Sequence, residues 1–215
     1  MFEGMTFRDW FLVLSGGLAG ALFTYLIGWW RRPRLKLSFR ADLAGCAVDT
    51  PAYYENEAGQ RIDIEQRYLR LKVENRGRTS AHGVNVCVTR IEFYPPDGNR
   101  ILFDEEVLDL PVALYDRNIF DLPRRGHRFM DVFAVHESAA GLAWNFGFVK
   151  PPMRLYRRAY GPGHYFMTVF ASANNANSVE RRYQWYWDGT RRGAGMPPYR
   201  APTFRETSIA DDPAA

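Results

Sequence analysis

The sequence predicts an all-β sandwich preceded by one N-terminal transmembrane helix. Three observations carry that expectation. Residues 10–30 form an uncharged, strongly apolar run. Beyond it, short stretches alternate apolar and polar side chains with the period of two that marks half-buried strands. No long amphipathic helical pattern occurs outside the first run. Irregularly spaced strands without such helices argue for a sandwich.

The apolar run is 21 residues long. A helix rises about 1.5 Å per residue, so it spans roughly 30 Å, the hydrocarbon thickness of a bilayer. Trp10, Trp29 and Trp30 stand at its two ends, where indole rings favour the headgroup layer. Arg31, Arg32, Arg34 and Lys36 follow at once, whereas residues 1–9 carry Glu3, Arg8 and Asp9 and no cationic cluster. Cationic flanks stay in the cytoplasm. The expected arrangement is therefore a single pass through the inner (plasma) membrane, with the C-terminal domain cytoplasmic. A cleaved signal peptide needs a cationic start, a shorter apolar core and a small-residue cleavage site. A near-neutral start, a long core and the Trp29-Trp30-Arg31-Arg32 exit fit none of these.

Within the run, Gly16, Gly20, Thr24 and Gly28 recur every four residues along one ridge. Small residues at that spacing let two membrane helices approach closely. The plainer explanation is the glycine content common to such helices.

About 185 residues follow the run, enough for one good core. The formal net charge is +4, but from Leu37 onward 23 cations face 22 anions. The surplus is thus membrane-proximal and suits anionic lipid, not a nucleic-acid stripe. Cys46 and Cys87 are the two cysteines. They are too few for a disulfide framework, and a cytoplasmic domain keeps them reduced. Small, partly buried residues are the expectation for both.

Residues 35–43 alternate cleanly and read as a strand that starts right after Pro33. Residues 44–65 are polar and Gly-containing and read as a loop with short extended pieces. Leu69, Leu71 and Val73 share one strand face, and Val84, Val86 and Val88 share another. The parity then slips to Ile91 and Phe93, which predicts a bulge near Thr89 or Arg90. A turn at residues 95–99 closes that strand. Further strands are expected over 129–135, 164–172 and 179–187, with a short helix or loop over 137–144. The domain organisation is then residues 1–9 as a short N-terminal segment, 10–30 as the membrane helix, 31–190 as the sandwich and 191–215 as an extended or disordered tail.

Tyr68-Leu69-Arg70, Val73, Asn75, Gly77-Arg78 and Ala81 form a pattern of strand, turn and strand. Ile91-Glu92, Pro162-Gly163-His164-Tyr165, Asn175-Ala176 and Trp187-Asp188-Gly189 continue it. The chain resembles a widespread set of uncharacterised prokaryotic membrane-anchored proteins with this pattern over about residues 35–190. At fold level it resembles the bacterial cell-adhesion-related (CARDB) type. The resemblance implies an immunoglobulin-like sandwich and no known activity. A single copy and a cytoplasmic face depart from the adhesion type. Asn75 and Gly77 suit the left-handed backbone that turns favour, and Trp187 suits a core anchor.

His82, His127, His136 and His164 show no metal-ligand spacing with one another or with a cysteine. No Gly-x-Ser-x-Gly, His-Glu-x-x-His or phosphate-loop motif is present. Asp104-Glu105-Glu106 reads as a solvated run. No catalytic, cofactor or metal site is therefore expected, and the protein is not expected to be an enzyme. Residues 181–187 interleave Arg with aromatics. Arg182, Tyr186, Arg191 and Arg192 form a possible binding surface of the kind that stacks rings and meets phosphates, extended by Arg154, Arg157 and Arg158. The alternative is a strand with Arg stems laid over apolar neighbours.

The expected function is a membrane-anchored interaction, adaptor or sensor module, with membrane lipid and a protein partner or a second copy as partners, and not nucleic acid. A second class is a membrane-acting effector of a defence or toxin-like system that oligomerises through its helix.

Overall fold

The computed structural model describes residues 7–40, 45–55, 58–96, 101–104, 107–113, 118–138, 141–146, 162–187 and 205–207. The helix, α1, runs Phe7–Arg31. The strands are β1 Leu35–Ser38, β2 Ala47–Glu55, β3 Arg61–Asn75, β4 Ala81–Tyr94, β5 Ile101–Asp104 and β6 Leu108–Asp109. They continue with β7 Ile119–Leu122, β8 His127–Ser138, β9 Gly141–Phe146, β10 Gly163–Ala173, β11 Ala176–Trp187 and β12 Arg205–Thr207.

Two antiparallel sheets face each other. One has the order β1-β3-β8-β9, with β2 also paired to β3. The other has the order β12-β11-β10-β4-β5, with β6 and β7 also on β4. The alternating residues of the sequence meet between them. Leu69, Leu71 and Val73 from β3 and Val84, Val86 and Val88 from β4 are all buried in one core. The parity slip is a bulge: Thr168 pairs with Arg90 and Val169 with Val88, which leaves Thr89 as the extra residue. Ile91 and Phe93 therefore return to the core side, as their burial requires.

An aromatic column ties the sheets together. Phe133 of β8 stacks on Trp185 at 5.2 Å, Trp185 on Tyr165 at 5.3 Å, and Tyr165 on Phe93 at 4.5 Å. Such ring pairs contribute about 0.5–1.5 kcal/mol each beyond their burial. Trp187 is buried in the same core, and Cys46 and Cys87 are buried and form no disulfide.

Several expectations are corrected. Residues 44–65 hold not a loop but the long β2–β3 hairpin, with Ala47 opposite Leu69 and Glu55 opposite Arg61. Pro51 is tolerated because, among the described strands, β2 pairs with β3 alone, and an edge needs no N–H on its outer side. Of the stretch expected to be a short helix or loop, residues 137–138 complete β8 and residues 141–144 form most of β9. Within the stretch expected to be an extended or disordered tail, the described residues Arg205–Thr207 form an edge strand on β11.

Among the described residues no helix is long and apolar enough to cross a membrane. The side chains of residues 1–14, which include the first part of the apolar run, lie outside the described ones. Between Ser15 and Leu26 the side chains of α1 are exposed. Leu18, Leu22, Phe23, Tyr25 and Leu26 are 49–72% exposed.

Candidate functional site

Four chain segments far apart in sequence meet where α1 enters the sandwich. They are the helix exit at residues 31–34, the β3–β4 turn at 76–80, the β7–β8 turn at 123–126 and the β10–β11 turn at 174–175. Asn75 joins three of them and is fully buried. Its Oδ1 accepts from the Arg34 N–H at 3.2 Å and the Gly77 N–H at 2.9 Å. Its Nδ2 donates to the carbonyls of Thr79 at 2.8 Å and Leu122 at 3.3 Å. Its own N–H donates to the Gly126 carbonyl at 2.9 Å.

Asn175 performs the same task for the fourth segment. Its Oδ1 accepts from the His82 N–H at 3.0 Å, and its Nδ2 donates to the Ser80 carbonyl at 2.9 Å.

Gly77 is required here for space. A Cβ at Gly77 would strike the Pro33 Cα and the Arg32 carbonyl oxygen. Neither Asn75 nor Gly77 is among the positive-φ residues, so the left-handed explanation expected for both is replaced by a buried amide and a close approach. Around this contact the Arg76 N–H donates to the Arg34 carbonyl at 2.8 Å, and the Thr79 hydroxyl donates to the Arg31 carbonyl at 2.8 Å. The Arg78 guanidinium lies 3.4 Å from the centre of the Trp30 ring, and that of Arg34 lies 5.5 Å from Trp29. Arg34 also bridges to Asn177, so the exit strand touches both sheets.

Two open clefts flank the exit. One, about 500 Å³, is lined by Arg31, Arg32, Thr79 and Asn177 among others. The second, about 290 Å³, lies against Trp29, Arg34 and Val179. Among the described residues neither Arg31 nor Arg32 meets a carboxylate. The nearby acids are engaged. Burial of Glu74 works against its charge, but the Arg76 hydrogen bond and the Lys72, Arg76 and Lys36 charges outweigh it and lower its pKa. The backbone N–H of Gly83 holds the exposed Asp121 below the usual carboxylate range, helped by His82 at 3.1 Å. Chemically, this end of the molecule offers guanidinium groups, indole rings and amides to an anion.

No family model, curated protein or solved structure matches the chain.

The remaining expected residues fall elsewhere. Gly16, Gly20 and Gly28 each face open space, and the Thr24 hydroxyl donates to the Gly20 carbonyl at 2.9 Å. Lys36 is half-buried in β1, opposite Glu74. The side chain of Trp10 lies outside the described residues. Arg182 is not on an open surface. It is buried, bonds Glu92 at 2.6 Å and lies 4.7 Å from the centre of the Phe166 ring. Alternation placed it correctly on the outer side of β11, but it could not reveal Glu92, which is 90 residues away. Tyr186 is exposed, with His164 tilted against it at 4.8 Å. Arg191, Arg192, Arg154, Arg157, Arg158, Glu105, Glu106 and the Asp104 side chain lie outside the described residues. Among the described residues no group of three or more His, Cys, Asp or Glu is placed to hold a metal.

The sequence reading missed Thr79, Asn177 and the two asparagine hubs as parts of one site. Asn75 and Asn175 stood out as motif residues, but their being joined through Ser80 and His82 depends on the fold.

Proposed function

We propose that the protein is a single-pass membrane-anchored β-sandwich of immunoglobulin-like type. Its domain lies on the cytoplasmic side and serves as an interaction, adaptor or sensor module of a membrane complex. The single observation that carries this reading is the junction between α1 and the sandwich. An apolar helix leaves the domain through a collar of Trp29, Trp30, Arg31, Arg32 and Arg34, the residue types that suit a membrane–water boundary. The collar is bonded into two sheets with no flexible linker. A tilt or association of the helix is therefore passed to the domain, which is what a sensor or an assembly subunit needs. The strand orders β1-β3-β8 and β11-β10-β4 agree with the A-B-E and G-F-C sheets of the immunoglobulin arrangement.

One observation favours a second reading. The ridge of Gly16, Gly20 and Gly28 faces open space, as an effector that oligomerises in the membrane would need. A stable co-purifying partner favours the adaptor, and growth arrest on induction favours the effector.

Fractionation tests the anchor. The full chain is expected to stay in the membrane pellet through carbonate extraction, and its domain to resist protease added to intact spheroplasts. Release by carbonate would overturn the anchor, and digestion from outside would overturn the orientation.

A further inference from the structure

Charge counted along the chain leaves the domain near neutral, but the fold sorts that charge. Arg78 comes from the β3–β4 turn, and Arg124 and Arg125 come from the β7–β8 turn. Asn75 and its neighbours hold both turns beside the helix exit, with its Arg31, Arg32 and Arg34. All of these arginines are exposed, and among the described residues none meets a carboxylate. The local acids, Glu74 and Asp121, are each already bonded to a neighbour. The helix's C-terminal end adds about half a negative charge, which full charges of this number outweigh. Arg125 adds an independent sign. It sits at φ 58°, a left-handed conformation where Gly or Asn is ordinary, so the turn keeps a cation at a position that disfavours it.

We propose that this end of the sandwich is a docking plate for anionic phospholipid headgroups of the leaflet from which α1 emerges. It would hold the domain down on the membrane instead of letting it hang from the helix. The cleft beside Arg31 and Arg32 receives a headgroup phosphate, with the Asn177 amide at its margin, and Trp29 lines the neighbouring cleft. This rests on the anchored reading above. It goes beyond the cationic flank of residues 31–36, because the domain's own turns supply three of the six exposed arginines.

The test uses the full chain in lipid nanodiscs of phosphatidylcholine alone or mixed with phosphatidylglycerol. Hydrogen exchange is read at the turn amides of residues 76–79 and 124–126. Exchange is expected to slow in the anionic discs and to recover at high salt, which screens such contacts. Each cation near an anionic leaflet contributes about fivefold. The Arg124→Gln/Arg125→Asn double variant is therefore expected to reduce the protection roughly 30-fold. The salt series on the unmodified chain gives the answer even if that variant folds poorly. Equal exchange in both discs, or protection that survives high salt, overturns the docking plate while leaving the anchor intact. Failure of the chain to insert into either disc overturns the anchor, and the docking plate with it.

Discussion

Asn75 is the residue on which the junction turns. A buried amide with every polar atom satisfied is expensive to lose, because each abandoned donor or acceptor costs about 1–3 kcal/mol. Asn75→Ala strands the N–H groups of Arg34 and Gly77 and the carbonyls of Thr79 and Leu122. We expect it to destabilise the detergent-solubilised protein by roughly 3–5 kcal/mol. Urea unfolding followed by near-ultraviolet dichroism of the Trp185 column would measure this, and a loss below about 1 kcal/mol would remove the hub role. Cys87 makes a second prediction at this scale. Burial, with the Asp109 charge in support, pushes its thiol up from 9.0 to about 11. The thiolate is the reactive form, so alkylation of Cys87 in a Cys46→Ala background should be about 100-fold slower at pH 8 than for an unperturbed thiol. It should accelerate as pH rises toward the raised value. Rapid labelling at pH 8 would contradict the buried, protonated thiol.

Strands were readable where one face is buried and the other wet. β1, β3, β4, β10 and β11 show that contrast, β8 was legible instead as an apolar run buried from Val132 to Val135, and the parity slip at Thr89 was visible because Val88 and Ile91 both had to point inward. Leu71→Ala, at the centre of β3 and fully buried, is expected to cost about 2–5 kcal/mol. A near-zero change in the urea midpoint would contradict the core assignment. β2 stayed hidden because its Asp49-Thr50-Pro51 stretch reads as a turn. Its pairing comes instead from the facing strand, where Arg67 clasps Asp49 through two bonds of 2.6 and 2.7 Å. β5, β6 and β7 are only two to four residues long, too short for periodicity to register. The junction was half legible. Its cations and tryptophans announce themselves by position, but Arg124 and Arg125 join them only through the bonds of Asn75 to their turn, which no spacing encodes.

At the scale of the molecule, a helix with open glycines is joined to a sandwich. If the Gly16, Gly20 and Gly28 ridge is a contact between copies, Gly20→Ile should block approach sterically. Leu22→Ile should not, since Leu22 is 59% exposed and lies off the ridge. A membrane-helix association reporter separates the two. Equal signals for wild type and both variants would leave the glycines as mere helix composition and take away the main support of the effector reading.

The clamp at Gly77 also fixes an azimuth. The Arg76–Arg34 bond and the Arg34–Asn177 bridge set the rotation at which α1 leaves the sheets, and therefore the compass direction of every helix side chain relative to the domain. An α-helix turns about 100° per residue. One alanine inserted after Trp30 would lengthen the arm by only about 1.5 Å but swing the glycine ridge through more than a quarter-turn. Two copies joined along that ridge would then present different flanks of their sandwiches to each other. Such an insertion would keep the fold, the apolar run and every charge, and would still change which surfaces meet.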